Sequence, residues 1–201
     1  MKTCRPIRIV SSTTQLRGRL GGRPPLKVAP RYRSDDTAYF ATFPLDGVLD
    51  VSVFLSVTWD QNPQTSVWHL AHRVLGDDID VVETVVHSPA RRARRSLVWE
   101  LVTATSLRLG EEREDRDPDW SGCRYLGHKY GGRAGFKPGH QHLEQEVRTL
   151  EAERFTLLAQ LAFPSRNDAP IDASWPFGEM TFHLFCRESS TVPAFRYLWT
   201  K

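Results

Sequence analysis

The phrase RLGGRPPLKVAP, beginning at Arg19, returns in altered form as KYGGRAGFKPG, beginning at Lys129. Each copy has a basic residue, an apolar or aromatic residue, Gly-Gly-Arg, and a proline a few positions later. Paired glycines permit positive φ and close backbone approach, so Gly21-Gly22 and Gly131-Gly132 are expected to be structural turns. A phosphate cradle needs a longer glycine-rich loop ending in Lys-Ser/Thr before a helix, and neither copy has one.

The similarity extends downstream of each copy. After the first come YFATFPL, a turn glycine at Gly47 and VLDVSVFLSV; after the second come FTLLAQLAFP, a turn glycine at Gly178 and EMTFHLFC. The order is Gly-Gly-Arg, aromatic-led strand, turn, alternating strand. A strand-turn-strand unit leaves one edge and one apolar face uncovered, and pairing with a copy of itself covers both. The expected fold class is α+β, a mostly antiparallel sheet built from two pseudo-repeats with few short helices. The expected division is an N-terminal segment over 1–18 and a single domain over 19–201, with repeats at about 19–60 and 129–190. The longer second copy is tolerable because loop closure costs entropy only logarithmically.

Local patterns fill in this outline. Asp46-Gly47 predicts a hairpin turn, and Leu49, Val51, Val53, Leu55 and Val57 share one parity of the following strand. TSVWHLAHRV leans towards strand, and VVETVV reads as one. SPARRARRSLVWELV begins with a Ser-Pro suited to a helix start, although its later part, SLVWELVTATSLRL, fits a strand equally well. EEREDRDPDW reads as a charged loop too polar to bury. Leu143, Val147 and Leu150 predict a helix in HLEQEVRTLEAERF, with strands after it in FTLLAQLAFP and GEMTFHLFCRE.

The chain has 201 residues, 40% hydrophobic and 25% charged, with a formal charge of +3, as expected for a globular protein. Three cysteines, odd in number and far apart, argue for reduced thiols and a cytoplasmic location. No segment has the length or apolarity of a signal peptide or a membrane span, so no membrane partner is expected.

The order GGRPPL, YFATFPL, HKYGGRAGF, FTLLAQLAFP, WPFGEMTFHLFCRE resembles the bacterial YwqG-like family of unknown function. His128, Gly131, Gly132, Leu157, Leu158 and Gln160 match the family's second half, and Thr42 stands where the first half often has a strand glutamine. The resemblance implies a duplicated α+β fold without established catalytic residues. It also implies a protein-binding role, since some relatives accompany toxin–immunity systems and distant ones resemble ribosomal-protein chaperones.

Several residues could carry chemistry, and each also has a plainer role. Cys123, His128, His140 and His142 are ligand types close together, but the paired Cys-x-x-Cys knuckle is missing, so no metal and no cofactor is expected. His183 and Cys186 have opposite parity on a strand, which separates them, and Cys186 reads as core. Arg91, Arg92, Arg94 and Arg95 form a basic run without exposed aromatics or a recognised module, so nucleic acid is not an expected partner. Gln160, polar within LLAQLAF, either bonds nearby backbone or lines a pocket. Trp175 covers the core rim or marks an interface.

Three functions compete, the third and least favoured being an RNA-associated factor acting through the cluster Arg91 to Arg95. The first is a non-catalytic cytosolic protein-binding module, an immunity protein that neutralises a toxin or binds another cytosolic protein. The second is a small-molecule-binding domain or enzyme using the groove between the two halves, with His128, Gln160 and an arginine such as Arg133 or Arg23 converging.

Overall fold

Strands β3 (Thr37–Pro44) and β4 (Asp50–Ser56) form the hairpin expected around Gly47. Leu45 N–H donates to Leu49 O at its closed end, and Arg17 clamps it by donating to Gly47 O, Leu49 O and the Asp50 carboxylate. The expected inward parity, Val51, Val53 and Leu55, is buried, but so are Asp50, Ser52 and Phe54. Both faces of this hairpin are therefore covered, and the strand composition reflects double burial rather than alternation.

In the computed structural model, residues 2–11, 17–29, 37–45, 47–56, 81–94, 99–100, 104–116, 124–136, 141–162, 181–187 and 193–200 are described. They fall into two compact units, one drawn from Met1–Arg8, Leu109–Phe163 and Glu179–Lys201 and the other from Ile9–Arg108 and Pro164–Gly178. The described residues are mostly antiparallel sheet with one helix, nearer to all-β than to the expected α+β. TSVWHLAHRV, Asp46, Gly178 and Trp175 lie outside them.

In the second unit, β2 (Gly18–Leu20) pairs with β7 (Thr105–Leu109) on one side and β3 on the other. The sheet continues through β4 to β5 (Val81–His87), the expected VVETVV strand, and β6 (Trp99–Glu100) runs parallel to β3. Tyr39, Phe54, Val85 and Val28 pack together, with the Tyr39 and Phe54 rings edge to face. The helix start expected at Ser88-Pro89 is not realised in residues 88–94. Arg92 there bridges to Pro25, and Ala93 N–H donates to Pro24 O.

In the first unit, β1 (Thr3–Val10) pairs with β8 (Arg113–Glu114) and with β9 (Lys129–Tyr130). Beyond β9 come β10 (Thr156–Leu161), β11 (Thr181–Arg187) and β12 (Ala194–Thr200), all antiparallel. Helix α1 (Gln141–Ala152) forms where the 3.6-residue period predicted it, and Val147 packs on Phe155, Leu157 and Phe185. It ends in a Schellman turn: Phe155 N–H reaches Leu150 O and Arg154 N–H reaches Glu151 O. Arg154 takes the left-handed position, with φ 66°, where glycine is usual.

Candidate functional site

The two Gly-Gly turns have the same local structure. Gly21, Gly22, Gly131 and Gly132 all have positive φ. The first glycine of each pair donates its N–H to a bulged strand residue, Gly21 to Phe40 O and Gly131 to Leu158 O. Phe40 is the extra residue where β3 slips against β4, and Leu158 is the extra residue where β10 slips against β11. Two residues after each bulge sits a buried polar side chain, Thr42 or Gln160, opposite a buried base, Arg19 or Lys129. Gln160 and Thr42 thus occupy matching register positions.

The polar cluster of the first unit is built around Lys129. Its Nζ donates to Asp115 Oδ1 at 2.6 Å, and neither side chain is meaningfully exposed. Asp115 Oδ2 accepts from Arg133 N–H at 2.7 Å, so the carboxylate also holds the Gly131-Gly132 turn. Gly132 is required here, because a Cβ would lie 2.4 Å from Asp115 Oδ2. Burial lowers the Lys129 pKa, against the opposing pull of Asp115. Burial first, and then the Asp115 charge, push the Cys4 thiol up to about 11. Asp115 corrects the expectation that EEREDRDPDW is too polar to bury: an ion pair and a backbone N–H replace the water this carboxylate loses.

Gln160 lies beside this cluster with no exposure. Its Oε1 accepts from Gly135 N–H at 2.9 Å, and its Nε2 donates to Gly127 O at 3.0 Å and Tyr125 O at 3.3 Å. His183, opposite Gln160 in the sheet, donates from Nε2 to Gly135 O. Complete burial lowers its pKa to about 4, so the ring is neutral under ordinary conditions. His128 is buried nearby, and its Nδ1 accepts from Ala162 N–H at 3.0 Å.

The structure therefore brings His128 and Gln160 together, both hydrogen-bonded to backbone. Arg133 joins them through its main chain, while its side chain is exposed. Arg23 belongs to the other unit, where it is exposed and donates to Arg94 O. Arg92, from the basic run, turns to backbone carbonyls, donating to Gly21 O, Arg23 O and Thr105 O. Cys123 and His140 lie outside the described residues, and His142 is exposed on α1. No group of ligand side chains that could hold a metal ion occurs among the described residues.

The second unit holds a chain of hydrogen bonds that sequence reasoning missed. His87 Nδ1 donates to Ser88 O, which only accepts, and His87 Nε2 is bonded to Ser52 Oγ at 2.8 Å. Ser52 Oγ is bonded in turn to Thr42 Oγ1, and Thr42 Oγ1 to the Tyr39 hydroxyl at 2.6 Å. Burial raises the Tyr39 pKa, which keeps the phenol protonated as a donor. Arg19 is buried at the end of the same polar row and donates to Ala90 O, and burial lowers its pKa.

No protein-family model, curated protein or solved structure matches this chain. No helix among the described residues is long and apolar enough to cross a membrane.

Proposed function

We propose that this chain is a non-catalytic, cytoplasmic protein-binding module of YwqG-like type, built on an internal duplication and acting as an immunity protein that neutralises a toxin. The matched Gly-Gly turns, bulges and buried polar pairs support the duplication. The observation that carries the functional reading is Gln160. Every direction of its amide that is bonded goes to the backbone of residues 125–135, so the most prominent polar residue of the core acts as a fastener. Lys129, Asp115 and the Nε2 of His183 are engaged in the same way, on each other or on main chain. Recognition then falls to exposed side chains.

The test is affinity capture from the native host followed by native mass spectrometry. A stoichiometric protein partner is expected. Recovery of nothing but a bound metabolite would overturn this reading.

A second reading, a small enzyme, is favoured by one observation: Ser52 Oγ stands at 2.8 Å from His87 Nε2, the relationship of a nucleophile to its base. Ser52 has no exposure, which weighs against attack on a substrate. Labelling of Ser52 by a fluorophosphonate, abolished in H87Q, would favour the enzyme.

A further inference from the structure

We infer that Arg187 and Arg196, whose guanidinium groups lie over Phe155, form together with Arg154, which adjoins Phe155 in the chain, a docking site for an acidic segment of a protein partner. This inference rests on the protein-binding reading and names the chemistry of its partner.

Three observations converge. The guanidinium carbons of Arg187 and Arg196 lie 4.9 Å and 5.5 Å from the centroid of the Phe155 ring. They come from neighbouring strands β11 and β12, and both are exposed. Two like charges held to one ring repel each other unless an anion joins them. Secondly, the bonds they make are to neutral acceptors: Arg187 donates to Glu153 O and Arg196 to Phe195 O. Among the described residues, no carboxylate comes within ion-pair distance of either, or of Arg154.

Thirdly, Arg154 is the one non-glycine residue among those described with positive φ. The Schellman position it fills favours glycine, so an arginine there opposes local stability. A strained residue adjoining Phe155 in the chain, where no carboxylate among the described residues pairs with Arg187 or Arg196, points to a role outside folding.

The ligand chemistry comes from the site itself. Planar guanidinium groups match carboxylates in a two-point geometry, and the buried Phe155 ring beneath Arg187 and Arg196 holds them in place. A phosphate polymer fits less well. The patch is confined to one end of α1 instead of forming a track.

The experiment titrates the full chain with a fluorescein-labelled glutamate decamer and follows anisotropy at rising salt. Binding that weakens with salt is expected, with a loss of roughly tenfold in R187E/R196E. R116E makes the same charge change per site on a residue paired to Glu114 elsewhere, and it is expected to shift affinity less than about twofold. The deciding variant is R154G, which should melt at a higher temperature yet bind about threefold more weakly. A purely structural role for Arg154 would raise stability and leave affinity unchanged. If R187E/R196E does not fold, R187K/R196K keeps the charges, removes the planar fork and should still weaken binding severalfold.

No binding of the decamer, an equal loss in R116E, unchanged affinity in R154G, or stronger binding of a single-stranded RNA decamer would each overturn the inference. A captured protein partner indifferent to R154G and R187E/R196E would refute this site and leave the binding-module reading standing. Failure to capture any protein would refute that reading, while the peptide titration would still decide the site.

Discussion

Lys129 and Asp115 form a 2.6 Å ion pair, fully enclosed on the lysine side and almost so on the aspartate side. The pair joins β9 to the segment after β8, and through Arg133 N–H it fixes the Gly131-Gly132 turn. Removing one partner leaves the other charge without water or counter-ion. Asp115→Leu is therefore expected to cost about 3–5 kcal/mol, and Lys129→Met on its own a comparable amount. The double variant should lose much less than the two single losses combined, because no charge is then stranded. Urea unfolding of the three variants measures this. Additive losses would show that the pair is not coupled.

The two glycines of that turn are expected to differ in tolerance. Gly131 has φ 72° and open space where a Cβ would go, so Gly131→Ala should cost only the left-handed strain, about 1–2 kcal/mol. Gly132 has φ 82° and a Cβ would press on Asp115. Gly132→Ala should cost that strain and, in addition, disturb the ion pair. In a Gly132→Ala/Asp115→Leu background the extra loss should shrink. Thermal melts of these variants give the ranking, and an equal loss for Gly131→Ala and Gly132→Ala would contradict it.

The contrast between Gly131-Gly132 and Asp115 also marks where the sequence is readable. The glycines signal a turn because φ preference is a local property. The hairpin at Gly47 and helix α1 are equally legible, since their dipeptide and 3.6-residue signals are contained in a few neighbours. Strand β1 is not recognisable in this way. Pro6 lies inside it, and proline ordinarily demotes a strand; here Pro6 O accepts from Gly110 N–H, which keeps the segment tied in. Strand β12, AFRYLWT, escapes notice because its alternation stands alone at the end of the chain. Asp115 looks like one acid in a charged loop, and only the fold brings Lys129 to it. The basic residue two places before each Gly-Gly is visible, but its burial is not. Long polar side chains are usually solvated, and no local signal marks the exceptions.

Gln160 supplies a third test. Gln160→Leu is close in volume but strands Gly135 N–H and the carbonyls of Tyr125 and Gly127 in a dry interior. With about 1–3 kcal/mol for each group left unsatisfied, the expected loss is several kcal/mol. Gln160→Glu retains the acceptor for Gly135 N–H and loses the donors, so at neutral pH it sets a carboxylate against two carbonyl oxygens. Its stability should recover partly on acidification, as the protonated acid regains one donor. Chemical denaturation at two pH values checks both variants, and a near-neutral Gln160→Leu would remove the fastener role.

His183 makes the stability of the first unit depend on pH in a stated direction. Its pKa is lowered from 6.5 to about 4, chiefly by burial, against the raising effect of its bond to Gly135 O. Between those two values the unfolded chain binds a proton at this ring and the folded chain does not. Stability must therefore fall as pH drops from about 6.5 towards 4, with a total on the order of 3 kcal/mol from this residue. Below about 4 the folded ring is protonated as well, and this contribution levels off. His183→Leu should remove the slope in that window. At neutral pH it should cost about 1 kcal/mol through the lost bond to Gly135 O, offset in part by better apolar packing beside Phe136. Unfolding free energies at half-unit pH steps separate the two effects, and an unchanged slope in His183→Leu would assign the pH dependence to another group.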